Sequence, residues 1–338
     1  RTYGPPSDAF TAQVAVSGLK RPWDVAFLSD QEILVTEKSG RLLRVHLETG
    51  GKVPVSGMPD TVVHGQGGLH AVVLHPKFED NQWLYLSHAV EMPGDTYTTR
   101  LTRARLVGNT LVDLKTLVTA KAETSAGQHF GGAILFDAEG FLFLSVGDRG
   151  SRDLAQDLGR HNGKILRLRG DGSVPQDNPF LKVPGALPEI YSYGHRNPQG
   201  MSLDAVTGQV WAVEHGPQGG DEINRVLPGR NYGWPVITYG EEYGGGRIGD
   251  ASREGMEQPV HYYVPSIATG GMAFYQHALF PAWQGSVFVT ALRGQHLNRV
   301  TIRDGKSVNE ERLLGDWNLR VRSVRVSPSG ELWVVTDN

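Results

Sequence analysis

The chain has 338 residues, 33 basic against 36 acidic side chains, a formal charge of −3 and no cysteine. That balance gives no long-range field for nucleic acid or an anionic membrane, and the lack of thiols excludes disulfides, thiolate metal sites and a cysteine nucleophile. No apolar run reaches the length of about 18 residues needed to span a bilayer. The opening residues RTYGPPSDAF carry no apolar leader and fit the mature form of an exported protein, so a periplasmic or secreted location is expected.

The 43 glycines and 19 prolines favour tight turns over long helices. Near the N-terminus, FTAQVAVSGL reads as a strand that closes a ring of sheets. After it one pattern recurs six times: an apolar strand, a turn with Asp, Pro or Gly, then a second apolar strand. The copies are WDVAFLSDQEILVTEKSGRLLRV, LHAVVLHPKFEDNQWLYLSHAV, GGAILFDAEGFLFLSVGDRG, PQGMSLDAVTGQVWAVEHG, GGMAFYQHALFPAWQGSVFVTAL and VRSVRVSPSGELWVVTDN. They start roughly 45 to 70 residues apart, the interval of propeller blades with uneven loops. The expectation is an all-β fold, a single domain over residues 1–338 built as a six-bladed β-propeller with four-stranded antiparallel blades. Between the third and fourth copies, RDLAQDLGRHNGKIL is the best helical stretch, and it is short. The final copy stops at VVTDN and is expected to lack a strand.

In a propeller the loops that enter the innermost strands surround one end of the channel. The stretches HGQGGLH, SAGQHFGG, YGHRNPQG and NLRVR stand at four such entrances. They offer Gln66, His70, Gln128, His129, His195, Arg196, Asn197, Gln199, Arg320 and Arg322. A lone histidine is commonly a hydrogen-bonded structural residue, and arginine or glutamine at a loop often satisfies carbonyls, so the convergence carries the argument. The set is cationic and rich in amide donors, with no carboxylate pair at the entrances, which disfavours a two-carboxylate glycosidase and suits an anionic, multiply carboxylated cofactor. After the fourth copy, EHGPQGGDEINRVLPGRNYGWP joins a constrained turn to Asp221 and Glu222, an oxygen-rich surround of the kind a hard cation such as calcium takes, although a plain structural turn explains it too.

Together these motifs resemble the soluble pyrroloquinoline-quinone (PQQ)-dependent sugar dehydrogenases, the glucose/sorbosone dehydrogenase family, and most of all its aldose sugar dehydrogenase branch. RPWDVAFLSD, GGLHAVVLHPKF, GQHFGGAILFD, GKILRLRGDGSVPQDNPF, YGHRNPQGM, EHGPQGGDEIN, NYGWP, GGMAFY and LRVRSVRVSPSGELWVVTD follow the family order over nearly the whole chain. The resemblance implies a quinone and a calcium ion at the top of the channel, with aldoses oxidised at C1 to lactones across a broad substrate range. By it, His129 is the base that takes the anomeric hydroxyl proton as hydride moves to the quinone, and Arg196 stabilises charge developing on the quinone oxygen. Gln66, Asn197, Gln199, Arg320 and Arg322 match cofactor-binding positions, and Tyr243, Ala291 and Arg293 match them more loosely. Gly216, Pro217, Glu222 and Tyr232 match the motifs that carry calcium ligands. The expected partners are an aldose and an external electron acceptor, with a monomer as the assembly.

Two positions depart from the glucose-specific branch: Gln128 stands where that branch has Asp before the base, and Arg293 where it has Lys. The first is expected to weaken orientation or tuning of His129, and the second to keep the charge while changing its geometry. Two other functions fit the fold: a calcium-dependent propeller hydrolase such as a lactonase, and a propeller that binds sugar or protein without catalysis.

Overall fold

A computed structural model describes residues 10–337. Five four-stranded antiparallel sheets span residues 22–54, 69–119, 134–193, 198–263 and 269–313, and a two-stranded sheet spans 321–336. The inner strands are Pro22–Phe27, Leu69–Leu74, Ile134–Phe136, Pro198–Asp204, Thr269–Tyr275 and Val321–Val326. Each packs against the inner strand of the next sheet, and Val321–Val326 packs against both Thr269–Tyr275 and Pro22–Phe27, so the ring closes. The fold is an all-β propeller. Of the six four-stranded blades expected, five are present among the described residues, and there the sixth unit is the two-stranded sheet.

Apolar side chains hold the ring by filling the wedge between each pair of neighbouring sheets. Blades 1 and 2 share a cluster around Leu34, Leu69 and Leu84, and blades 4 and 5 share one around Val213, Met272 and Val289. The two-stranded sheet meets blade 1 through Val335 against Val25, Ile33 and Val35. At about 1.5 to 3 kcal/mol for each fully buried side chain, these interfaces supply most of the drive to close.

Two expectations give way to this packing. Residues 10–20 form no strand; instead Phe10 stands edge-on to Trp283 at 5.8 Å, while Val16 and Leu19 cover the seam between the last sheet and blade 1. The helical stretch yields a short 3-10 turn, Arg152–Gln156, and then Gly159 and Gly163 interrupt it. Beyond them Lys164–Leu168 is a strand with every residue buried, so tertiary burial overrides local propensity.

Candidate active site

Because inner and second strands are antiparallel, each inner strand begins at or a few residues short of the end of its neighbour: Pro22 pairs with Glu37, Leu69 with His88, Ile134 with Leu144, Pro198 with Glu214, Thr269 with Ala291 and Val321 with Thr336. One face of the ring therefore gathers the exits of the second strands as well as the entrances of the inner ones.

His129 lies on the approach to the third inner strand with its backbone at φ 58°, in the left-handed region that non-glycine residues seldom adopt. A Cβ on Gly147 would sit 2.0 Å from the His129 carbonyl oxygen, so only glycine lets the two loops meet there. The His129 N–H donates to Gln66 Oε1 at 3.1 Å. Its ring Nδ1 stands 2.6 Å from Asp148 Oδ1. Asp148 also accepts from the Gly150 N–H at 2.8 Å and from Trp234 Nε1 at 2.8 Å. Burial raises the Asp148 carboxyl, but the hydrogen bond and charge of His129 with those other donors outweigh it and hold it below the usual range. Burial lowers His129 from its ordinary value against the pull of Asp148. A carboxylate beside a neutral imidazole assigns the proton to Nδ1 and leaves Nε2, which has no partner among the described residues, as a lone-pair base. Asp148 is not legible from the strand entrances, because it stands two residues beyond Leu142–Val146, at an exit. Gln128 is exposed, and Asp148 rather than residue 128 orients the ring.

Arg196 is buried, 6% exposed. Its Nη1 donates to the carbonyls of His215 at 3.0 Å and Gly216 at 2.8 Å, and Nη2 stands 3.3 Å from the hydroxyl of Tyr243. Its Nε is buried without a partner among the described residues. Next to it, Asn197 Oδ1 accepts from the Gly131 N–H at 3.1 Å, tying this loop to the one that carries His129. His195 is wholly buried, held by Ser192 at 2.8 Å and Glu214 at 2.9 Å and stacked on Tyr232, and is structural. His70 is likewise structural, stacked on Trp23 at 4.1 Å and pushed down to about 3 by burial.

Behind Arg196 lies a space of about 10 Å³ lined by Glu214, Gly216, Pro217, Glu222, Tyr232 and others, room for one water or one small ion. Desolvation, then the charge of Glu214, pushes the Glu222 carboxyl well above the carboxylate range. Asn224 Oδ1, beside this pair, is buried without a partner among the described residues. Three of the oxygen groups in this motif are otherwise engaged. The Gly216 carbonyl accepts from Arg196, the Tyr232 hydroxyl bridges the Arg225 carbonyl and the Leu227 N–H, and Asp221 accepts the N–H groups of Gly216, Ile267 and Ala268. Among the described residues no group of three or more His, Cys, Asp or Glu converges in a way that could hold a metal, and that is the donor set the hydrolase alternative requires.

Arg320 and Arg322 stand together but are already engaged: Arg322 forks onto Asp337 with Nη2 at 2.9 and 3.0 Å and Nε at 3.1 Å, and Arg320 Nε reaches it at 3.2 Å. Arg322 also lies 4.0 Å over the Trp23 ring. The strand exits thus carry acids, Asp148 and Asp337 among them, that the reading of the entrances did not register. Gln199 lines a void of about 30 Å³ on the axis, with Trp23 and Arg322. That space is sized for water. Ala291 is buried at a strand end, Arg293 two residues on is exposed, and Tyr243 is 69% exposed on the rim. Among the described residues no helix is long and apolar enough to cross a membrane.

Over residues 19–338 the sequence matches the family described as Glucose / Sorbosone dehydrogenase. Aldose sugar dehydrogenase YliI of Escherichia coli (strain K12) is 41% identical over 331 residues, 96% of this chain and 89% of that protein. In structure the chain is similar to the soluble aldose sugar dehydrogenase (Asd) from Escherichia coli in the apo-form, with TM-score 0.94 and 40% identity over 96% of each chain. It is also similar to the PQQ-bound form of the aldose sugar dehydrogenase (Adh) from Streptomyces coelicolor, with TM-score 0.80 and 29% identity over 99% of this chain and 94% of that one. With its motifs in order along a propeller of this kind, the chain belongs to the glucose/sorbosone dehydrogenase family.

Proposed function

We propose that the protein is a PQQ- and calcium-dependent dehydrogenase that oxidises aldoses of broad range at C1 to their lactones and passes the electrons to an external acceptor. The observation that carries this reading is the His129–Asp148 pair at 2.6 Å, a poised base whose Nε2 has no partner among the described residues and whose loop, like those of Arg196 and Arg320, precedes an inner strand. Both implied groups fit the residues present. The partnerless Nε of Arg196, and a cluster of cations with a single carboxylate among them, suit an anion bearing several carboxylates. Glu222 beside Glu214, next to a one-atom space and the orphaned Asn224 oxygen, suits a divalent cation.

When bound, the quinone supplies a two-electron hydride acceptor and calcium a Lewis acid. Arg320, Arg322, Asn197 and Gln199 would hold the quinone, Gln66 the loop between it and the base, and Glu222 with the carbonyls near Pro217 the calcium. His129 Nε2 takes the proton of the sugar's C1 hydroxyl, and Asp148 stabilises the imidazolium that results. Three acceptors fix the Arg196 guanidinium beside the reacting centre. Protein reconstituted with PQQ and calcium should reduce an artificial dye only when an aldose is present, and His129→Ala should abolish this. Dye reduction that needs no aldose, or that His129→Ala leaves intact, would refute the reading.

A further inference from the structure

Lys38 follows the last residue of the second strand of blade 1 and is 5% exposed, yet its ammonium has one partner among the described residues, the Gly65 carbonyl at 2.6 Å. Two of its three N–H groups are unspent, which is unusual for a nearly buried lysine. Gly68 makes room for it: a Cβ there would lie 2.6 Å from Lys38 Cγ and 2.4 Å from its carbonyl oxygen. The tether to Gly65 sets the ammonium next to Gln66, which in turn holds the His129 backbone.

The charges around it do not balance. Arg21 and Arg322 act on Lys38 repulsively, Asp337 attractively, and Asp337 is already shared by Arg320 and Arg322. The adjacent Glu37 is turned to Arg41 and the Lys20 N–H. Lys38 and Arg21 thus stand against an arginine pair that already occupies Asp337, an arrangement that an incoming polyanion relieves. We propose that Lys38 is a cofactor-binding residue, donating its unspent N–H groups to a carboxylate of the quinone alongside Arg320 and Arg322. This rests on the quinone reading above and adds a residue to it.

A pH signature separates this role from a structural one. Burial, then Arg21 and Arg322, bring Lys38 down to about 8 from an ordinary lysine value of 10.5. Of the other groups facing it, His70 is held neutral by burial, and Asp337, raised by burial, is kept below the carboxylate range by Arg322 and Arg320. Neither changes charge near pH 8, so rising pH removes the Lys38 cation and weakens binding. The test is equilibrium binding of PQQ to the calcium-supplemented apoprotein, followed by quinone absorbance at pH 7 and pH 9, for the wild type, Lys38→Met and Lys38→Arg. Loss of one charge-assisted hydrogen bond should raise Kd about tenfold in Lys38→Met at pH 7. The wild type should lose a similar factor between pH 7 and 9, and Lys38→Arg should bind tightly at both. Equal Kd values for wild type and Lys38→Met overturn the assignment of Lys38 alone, while no saturable binding by wild type overturns the quinone reading with it. If Lys38→Met does not fold, the wild type and Lys38→Arg decide: the same pH dependence in both overturns the proposal.

Discussion

Asp148 does two things for His129 that can be pulled apart. Its carboxylate fixes which nitrogen carries the proton, and its charge partly offsets the burial that lowers the imidazole. Asp148→Asn keeps the size and can still hydrogen-bond, but it can present an amide donor to the ring and favour the wrong tautomer. The expected result is a fall in kcat of about 10² to 10⁴ with little change in the dissociation constant of the quinone. The pH profile adds a sign. As the proposed base His129 has to be neutral, and its lowered value keeps it so below the ordinary histidine range, so wild-type activity should persist toward mild acid. Without the Asp148 charge the imidazole is harder still to protonate, and the residual activity of Asp148→Asn should extend further into acid. An acid limb that moves upward in the variant would contradict this assignment. Where chemistry is slow, pre-steady-state reduction of bound quinone reads the same quantity without interference from the external acceptor.

Strand direction explains what could be read from the sequence and what could not. The repeating strand, turn and strand units were legible because alternating apolar residues and Gly- or Asp-bearing turns are local signals, and His129, Arg196 and Asn197 could be picked out as candidates because they precede inner strands. Asp148, Lys38 and Asp337 belong to the exits of second strands, and only the antiparallel register, Pro22 with Glu37 or Val321 with Thr336, brings those exits to the same face. Arg149 was hidden for the same reason. It is wholly buried next to Asp148, 3.6 Å over the Phe130 ring, and it donates to the carbonyls of Gln128, Tyr97 and Ala126. One residue of this exit thus holds the ring of the base while the next holds the loop that bears it. Arg149→Lys keeps a cation but cannot span three carbonyls with one fork. A displacement of the loop by about 1 Å should cost on the order of 10² in kcat. Quinone affinity, set by other loops, should move little, and a variant with wild-type kcat would show that the loop needs no such clamp.

At the scale of the whole molecule the weak point is the seam where the two-stranded sheet meets blade 1, since fewer strands bury less surface there. A charge pair reinforces it. Arg325 forks onto Asp24 at 2.9 and 2.7 Å across 301 residues of chain, and Asp24, 3% exposed, also accepts the N–H of Val72 in blade 2 at 3.1 Å. The pair therefore ties the last sheet to the first two blades within the ring. Arg325→Met would strand a buried carboxylate, and breaking a buried pair from one side costs about 3 to 5 kcal/mol. The double variant Asp24→Asn with Arg325→Met should recover part of that loss, because the penalty belongs mainly to the unpaired charge. Denaturant midpoints at constant slope measure both. The same seam carries Arg322, in the first strand of the last sheet, and Asp337, just beyond the second, so loosening it should also weaken quinone binding. Wild-type stability in Arg325→Met would mean that apolar packing of Val335 against Val25 and Val35 closes the ring unaided. A stability loss with unchanged quinone affinity would mean that the arginine seat is organised within its own sheet and does not depend on closure.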